Sequence, residues 1–112
     1  MPPTRSTFSV VFDSDAALVD LSAIKSKEER KAILNVVDKL RQLGPQLMPP
    51  HAKSLKGEPG LYELRPRQGS AAARPIFMRA GDDYIVLAIS KDHENDMASA
   101  VADATARAAR YA

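Results

Sequence analysis

Six consecutive apolar residues, 84–89 (YIVLAI), constrain the fold most. Successive side chains of a strand point to opposite faces, so this run is apolar on both. Such a strand belongs in the middle of a sheet, and the chain must supply its neighbours. Residues 8–12 (FSVVF) are β-branched and aromatic and read as one strand. Residues 61–67 read as another, with Tyr62 and Leu64 on one face and Glu63, Arg65 and Arg67 on the other. Pro66 there marks an edge position or a strand end. Residues 74–80 form the next, with Phe77 and Arg79 opposite Ile76 and Met78, and Gly81-Asp82-Asp83 turns tightly into the apolar run. Alternation sends Tyr62, Phe77 and Tyr84 toward the core.

Two longer helices accompany the strands. In residues 27–43, Ile33, Val36, Val37, Leu40 and Leu43 make one apolar stripe. Ser26 and Glu29 have capping-box spacing at its start, and Gly44-Pro45 stop it. Asp13, Ser14 and Asp15 offer side-chain oxygens to cap a short helix over 16–21, with a break at 22–26. Residues 46–60, punctuated by Pro49, Pro50, Gly57, Pro59 and Gly60, read as an irregular link. A last helix runs from about 97 to 111, with Met97, Val101, Ala104, Ala108 and Tyr111 as its buried stripe. Asp92, Glu94 and Asp96 suit its positive end, and Arg107 and Arg110 its negative end. The order β-α-α-β-β-β-α, in 112 residues, is that of one small α+β domain with one core, after a loose terminus at residues 1–7.

Charge is unevenly placed. Residues 51–79 hold Lys53, Lys56, Arg65, Arg67, Arg74 and Arg79 against Glu58 and Glu63, a net +4 in a chain of net +2. Cysteine is absent, which excludes disulfides and thiolate metal sites and fits a reducing cytoplasm. No apolar run approaches the ~18–20 residues of a membrane span, and no signal-peptide pattern opens the chain. There is no P-loop, no GxGxxG after a strand, no HExxH and no serine elbow, and the two histidines form no metal-spaced cluster. Polyanion chemistry through arginine and lysine remains. Strand-borne Arg65, Arg67 and Arg74 can hold a phosphate bidentately and stabilise the extra charge of a phosphorane-like transition state. Lys53 and Lys56, in the loop with His51, suit tracking of a nucleic-acid backbone. Lys91 follows the apolar strand, and His93 stands just before the last helix.

The segments LRQLGPQL (40–47), HAKSLKG (51–57), LYELRPR (61–67) and RPIFMR (74–79), with YIVLAI followed by lysine, resemble the RelE/HigB group of bacterial toxins, in particular its HigB-like, phage Gp49-like branch. The resemblance covers residues 8–111. It implies an antiparallel-dominated sheet with two N-terminal helices against it and a C-terminal helix. It also implies a metal- and cofactor-free, ribosome-dependent mRNA endonuclease in the cytoplasm, held inactive by a HigA-like helix-turn-helix antitoxin. In such enzymes the substrate's 2′-hydroxyl attacks the adjacent phosphodiester. By position, Arg65 matches a catalytic basic residue, Arg74 the arginine on the scissile phosphate, and Arg67 a neighbouring basic position. Lys91 matches the lysine after the central strand, and His51 lies where HigB proteins place an active-site histidine. Lys53, Lys56 and Arg79 join Arg67 as RNA-contact candidates. Relatives often continue past the Lys91 position with a basic residue and later a tyrosine; here Asp92 and His93 follow, and residues 92–100 contain no tyrosine. Arginine stays protonated, so proton transfer falls to His51 or His93. A ParE-type toxin that binds DNA gyrase, or a RelE-fold protein that only binds its antitoxin, shares the same pattern.

Overall fold

The computed structural model describes residues 8–47 and 51–111; the expected loose terminus at 1–7 lies outside them. Five strands form one sheet: β1 (Ser9–Phe12), β2 (Ala52–Ser54), β3 (Tyr62–Leu64), β4 (Arg74–Ala80) and β5 (Asp83–Ser90), in the order β1-β5-β4-β3-β2. Only the β1–β5 pair is parallel. The α+β class and the antiparallel-dominated sheet are as expected. The sheet has one strand more than expected, because β2 lies inside the supposed link and pairs with β3. Ala-Lys-Ser has no strand preference of its own, and pairing with β3 alone makes it a strand.

Helix α1 (Lys27–Leu43) starts where Ser26 Oγ accepts the Glu29 N–H at 3.2 Å. It buries Ile33, Val36, Val37 and Leu40 against Val10, Leu64, Phe77, Tyr84 and Val86. Each such aliphatic contributes about 1.5–3 kcal/mol. Leu43, expected on this stripe, is exposed at the helix end. Helix α2 (Met97–Ala108) lies on the opposite face, where Ala100 and Ala104 meet Ile76, Ile85 and Leu87. The apolar run is therefore covered on both sides. It lies between β1 and β4, one place from the sheet's middle strand.

The short N-terminal helix is a π-helix, Ala16–Asp20. β1 ends opposite Val86, which leaves the backbone of β5 beyond that point without a strand neighbour on this side. Asp20 carboxylate accepts the Ile89 N–H at 3.2 Å, and Arg107 donates to the Leu87 carbonyl at 2.9 Å and to Asp20 at 2.7 Å. Side chains thus satisfy polar groups that a strand would otherwise have paired. The expected caps act differently: Asp13 accepts the Asp15 N–H, and Asp15 makes no cap bond.

Gly44 ends α1 with φ +53°, and a Cβ there would lie 2.5 Å from the Phe8 ring. That ring packs edge-on against Tyr84 at 6.2 Å. Gly44→Ala is therefore expected to cost about 1–3 kcal/mol, from backbone strain and overpacking. Denaturant unfolding measures it, and a change below a few tenths would show that Phe8 yields freely.

Candidate functional site

The site is organised by a carboxylate. Glu63, on β3, is nearly buried, and its Oε1 lies 3.3 Å from Arg74 Nη1 and 3.4 Å from Arg65 Nε. Two guanidinium groups share one carboxylate, so the cluster keeps a net positive charge. Arg65 and Arg67 are not strand-borne as expected: Pro66 cannot donate to the ladder, and the chain leaves β3 after Leu64 into a 3₁₀ turn, Pro66–Gly69. Arg67 and Gln68 take left-handed φ angles of 52° and 59° there. The turn swings Arg67 away from Arg65 and onto α1, where it meets Glu29 at 3.1 Å and the Glu28 carbonyl at 3.2 Å.

Arg74 opens β4 and is 4% exposed. Its Nη2 donates to the Gly69 carbonyl at 2.9 Å and lies 3.2 Å from His93 Nε2. His93 Nδ1 lies 2.9 Å from the Ala72 carbonyl, which also accepts the His93 backbone N–H at 3.0 Å. A carbonyl accepts and a guanidinium donates, so these contacts fit the tautomer with the proton on Nδ1 and a lone pair on Nε2. Asp92 and Asp96 fix the loop: Asp96 accepts from the Ser90 hydroxyl and the Asp92 N–H, and Asp92 accepts from the Glu94 N–H and the Asn95 amide.

Arg65 is the open member, its side chain 30% exposed. Its Nε–H and that of Arg74 are buried without a hydrogen-bond partner among the described residues. Buried donors are rarely left so. Arg65 Nε nonetheless stands 3.4 Å from Glu63 Oε1, an ion pair without hydrogen-bond geometry.

The other candidates do not join this cluster. The His51 backbone carbonyl accepts the Arg65 N–H at 2.8 Å, but its side chain lines a polar groove under α1 with Lys31, Asn35 and Arg67. Lys53 and Arg79 line a third region, an aromatic groove at the C-terminal end of α1. Lys56 lies against α2 beside Met97 and Val101. Lys91 is exposed on the bend after β5. Glu63 escaped the sequence reading, where it only reduced a charge count; its signal was its place on the same strand face as Arg65. Tyr62, expected in the core, is 37% exposed and stacks on Phe77.

A family model described as phage derived protein Gp49-like (DUF891) matches residues 20–109. The chain belongs to this Gp49-like family. Its fold is similar to that of E. coli toxin RelE, solved in the free state as a double arginine-to-alanine mutant. The TM-score is 0.62 at 15% identity, over 86% of this chain and 95% of that one. No curated protein matches the Gp49-like chain significantly. The family is the Gp49-like one that the sequence motifs resemble, and the fold is RelE-like, as that resemblance implies. Within this Gp49-like protein the Glu63 cluster spans β3, β4 and the loop after β5, all inside the matched residues. No helix of the described residues is long and apolar enough to cross a membrane.

Proposed function

We propose that this protein is the toxin of a toxin–antitoxin pair and acts as a metal-independent, ribosome-dependent mRNA endonuclease. The observation that carries this reading is the pair of guanidinium groups, Arg65 and Arg74, gathered on the Glu63 carboxylate with the His93 imidazole beside Arg74. In the proposed reaction a 2′-hydroxyl attacks the adjacent phosphorus and the 5′-oxygen leaves. The products are a 2′,3′-cyclic phosphate and a 5′-hydroxyl. Arg65, the half-buried and more accessible of the two cations, takes the charge that develops on the non-bridging oxygens. His93 Nε2 takes the 2′-hydroxyl proton as Arg74 exchanges its bond to the ring for one to the phosphate, and the departing 5′-oxygen takes up a proton from solvent. Glu63 holds both arginines in register. A HigA-like helix-turn-helix antitoxin holds the protein inactive, and mRNA on the cytoplasmic ribosome is the substrate.

A second reading is favoured by the burial of Arg74 and by the engagement of both His93 ring nitrogens. In it the same fold binds DNA gyrase, in the manner of ParE, and cleaves no RNA. Induction in a bacterial host, with mapping of mRNA 5′ ends, separates the two. New ends within translated frames support the endonuclease. Arrest without new ends, with DNA breaks and an SOS response, supports the gyrase binder. Lys56→Ala is expected to weaken cleavage only slightly, because Lys56 borders a groove with α2 and makes no contact with the Glu63 cluster among the described residues. A loss as deep as that of Arg65→Ala would contradict the division of roles.

A further inference from the structure

A groove of about 410 Å³ opens between the end of α1 and strands β2, β3 and β4, with Tyr84 of β5 also on its wall. That volume falls in the range of small-ligand sites. Three rings form one aromatic wall. Tyr62 stacks on Phe77 with centroids 5.4 Å apart and planes at 26°, and Phe77 meets Tyr84 at 5.8 Å and 66°. Two cations also line the groove: Lys53, exposed on β2, and Arg79, whose Cζ lies 5.6 Å from the Tyr84 centroid. No carboxylate lines the groove among the described residues. Tyr84 is 3% exposed, and its hydroxyl has no hydrogen-bond partner among the described residues.

These features select one kind of occupant. An aliphatic side chain would cover the rings but leave the Tyr84 hydroxyl unsatisfied and give Lys53 nothing to neutralise, while Arg79 has only an exposed carboxylate partner, Asp82, at 3.7 Å. A bare anion would meet the cations and ignore the rings. A nucleotide supplies a π-face for Tyr62, polar edge atoms for a hydroxyl, and a phosphate for Lys53 and Arg79.

We propose that this groove binds one nucleotide of single-stranded RNA, its base stacked on Tyr62 and its phosphate at Lys53 and Arg79. The inference rests on reading the protein as one that acts on RNA, and it adds a subsite for a flanking nucleotide apart from the Glu63 cluster. Tyr62 and Glu63 are adjacent on β3 and point to opposite faces of the sheet. The groove therefore holds RNA without touching the reacting bond.

Binding is tested apart from cleavage. An isotope-labelled Arg65→Ala chain is titrated with AMP and, separately, with ribose 5-phosphate, and the aromatic resonances are followed by NMR. AMP is expected to shift the rings of Tyr62, Phe77 and Tyr84; ribose 5-phosphate, which lacks the base, is expected to leave the ring of Tyr62 unmoved. Tyr62→Leu keeps bulk without a ring and is expected to weaken AMP binding about fivefold or more, whereas Tyr62→Phe retains it. Equal shifts with both ligands, no ring shifts at millimolar AMP, or unchanged affinity in Tyr62→Leu would overturn the proposal. Ring shifts in a chain whose wild type cleaves no RNA would leave the groove standing and remove the endonuclease reading. Cleavage by a chain with no ring shifts would do the reverse.

Discussion

Replacing Arg65 with alanine is expected to lower ribosome-dependent mRNA cleavage about 10²–10³-fold and to leave the fold intact. Arg65 is the accessible cation of the Glu63 cluster, and its ion pair with Glu63 is loose at 3.4 Å. Arg74 still neutralises the carboxylate at 3.3 Å when Arg65 is gone. What is lost is a preorganised positive charge facing the phosphate. Arg74→Ala is also expected to abolish cleavage, but through the architecture as well. It removes the donor to the Gly69 carbonyl and the partner of His93 Nε2, and leaves Glu63 with only the loose pair. Arg74→Lys is not expected to rescue, because one ammonium cannot reproduce a planar fork that reaches three separate acceptors. Cleavage in a reconstituted translation reaction, beside a thermal melt of each variant, separates the two cases. Near wild-type cleavage by Arg65→Ala would remove that residue from the mechanism.

The largest effect on stability is expected from Asp13→Ala. Asp13 leads from β1 into the π-helix, and its side chain is 1% exposed. Arg110 donates to both of its oxygens at 3.0 Å, Tyr111 hydroxyl donates at 2.7 Å, and the Asp15 N–H at 3.0 Å. Residues 97 and 98 positions apart are thereby joined, and the last turn of the chain is held to its first strand. Removing the carboxylate is expected to cost about 2–3 kcal/mol, since charge-assisted bonds in a buried setting are lost together. The melting temperature should fall by on the order of 10 °C. Burial by itself would raise the Asp13 pKa, but the Tyr111 hydroxyl, the Asp15 amide and Arg110 outweigh it and hold the carboxyl below its ordinary 3.8. A carboxyl lowered in the folded state contributes stability above its unfolded pKa, and that contribution is lost as pH falls through the folded value. The wild type should therefore lose stability below about pH 4 more steeply than Asp13→Ala. The Tyr111 phenol is raised above its ordinary 10.0, first by its bond to Asp13. Its contribution is present below pH 10 and is lost as pH rises past the folded value. Parallel acid limbs for wild type and Asp13→Ala would show that the latch does not carry this linkage.

Much of the frame was legible because local chemistry and tertiary packing agree there. Residues 27–43 are helical at the expected bounds, since the aliphatic stripe, the Ser26 cap and the Gly44-Pro45 stop all act within a few residues. β4 and β5 likewise follow from alternation and one tight turn. What was not legible depends on partners distant in sequence. β2 is three residues without strand preference, made a strand by β3. Leu43 falls off its stripe because the chain turns at Gly44. Asp13 and Tyr111 read as a cap and a stripe residue, and nothing local couples them. The basic stretch 51–79 is contiguous in sequence, yet folding spreads its charges over several surfaces. Arg65 and Arg74 share Glu63, Arg67 and His51 sit under α1, Lys53 and Arg79 flank aromatic rings, and Lys56 lies against α2. The cause is local: Pro66 breaks the alternation that would have kept Arg65 and Arg67 on one face. Glu63 and Tyr62, adjacent on β3, escaped notice because one has the wrong charge for a basic site and the other looked like core.

The chemistry of the product ends tests the central claim most directly. Purified protein is added to ribosomes paused on a defined mRNA, and the termini of any fragments are determined. Attack by the 2′-hydroxyl predicts a 2′,3′-cyclic phosphate on the upstream fragment and a 5′-hydroxyl on the downstream one, both lost with Arg65→Ala. Fragments ending in 3′-hydroxyl and 5′-phosphate, or intact mRNA at protein levels that stop growth, would contradict it.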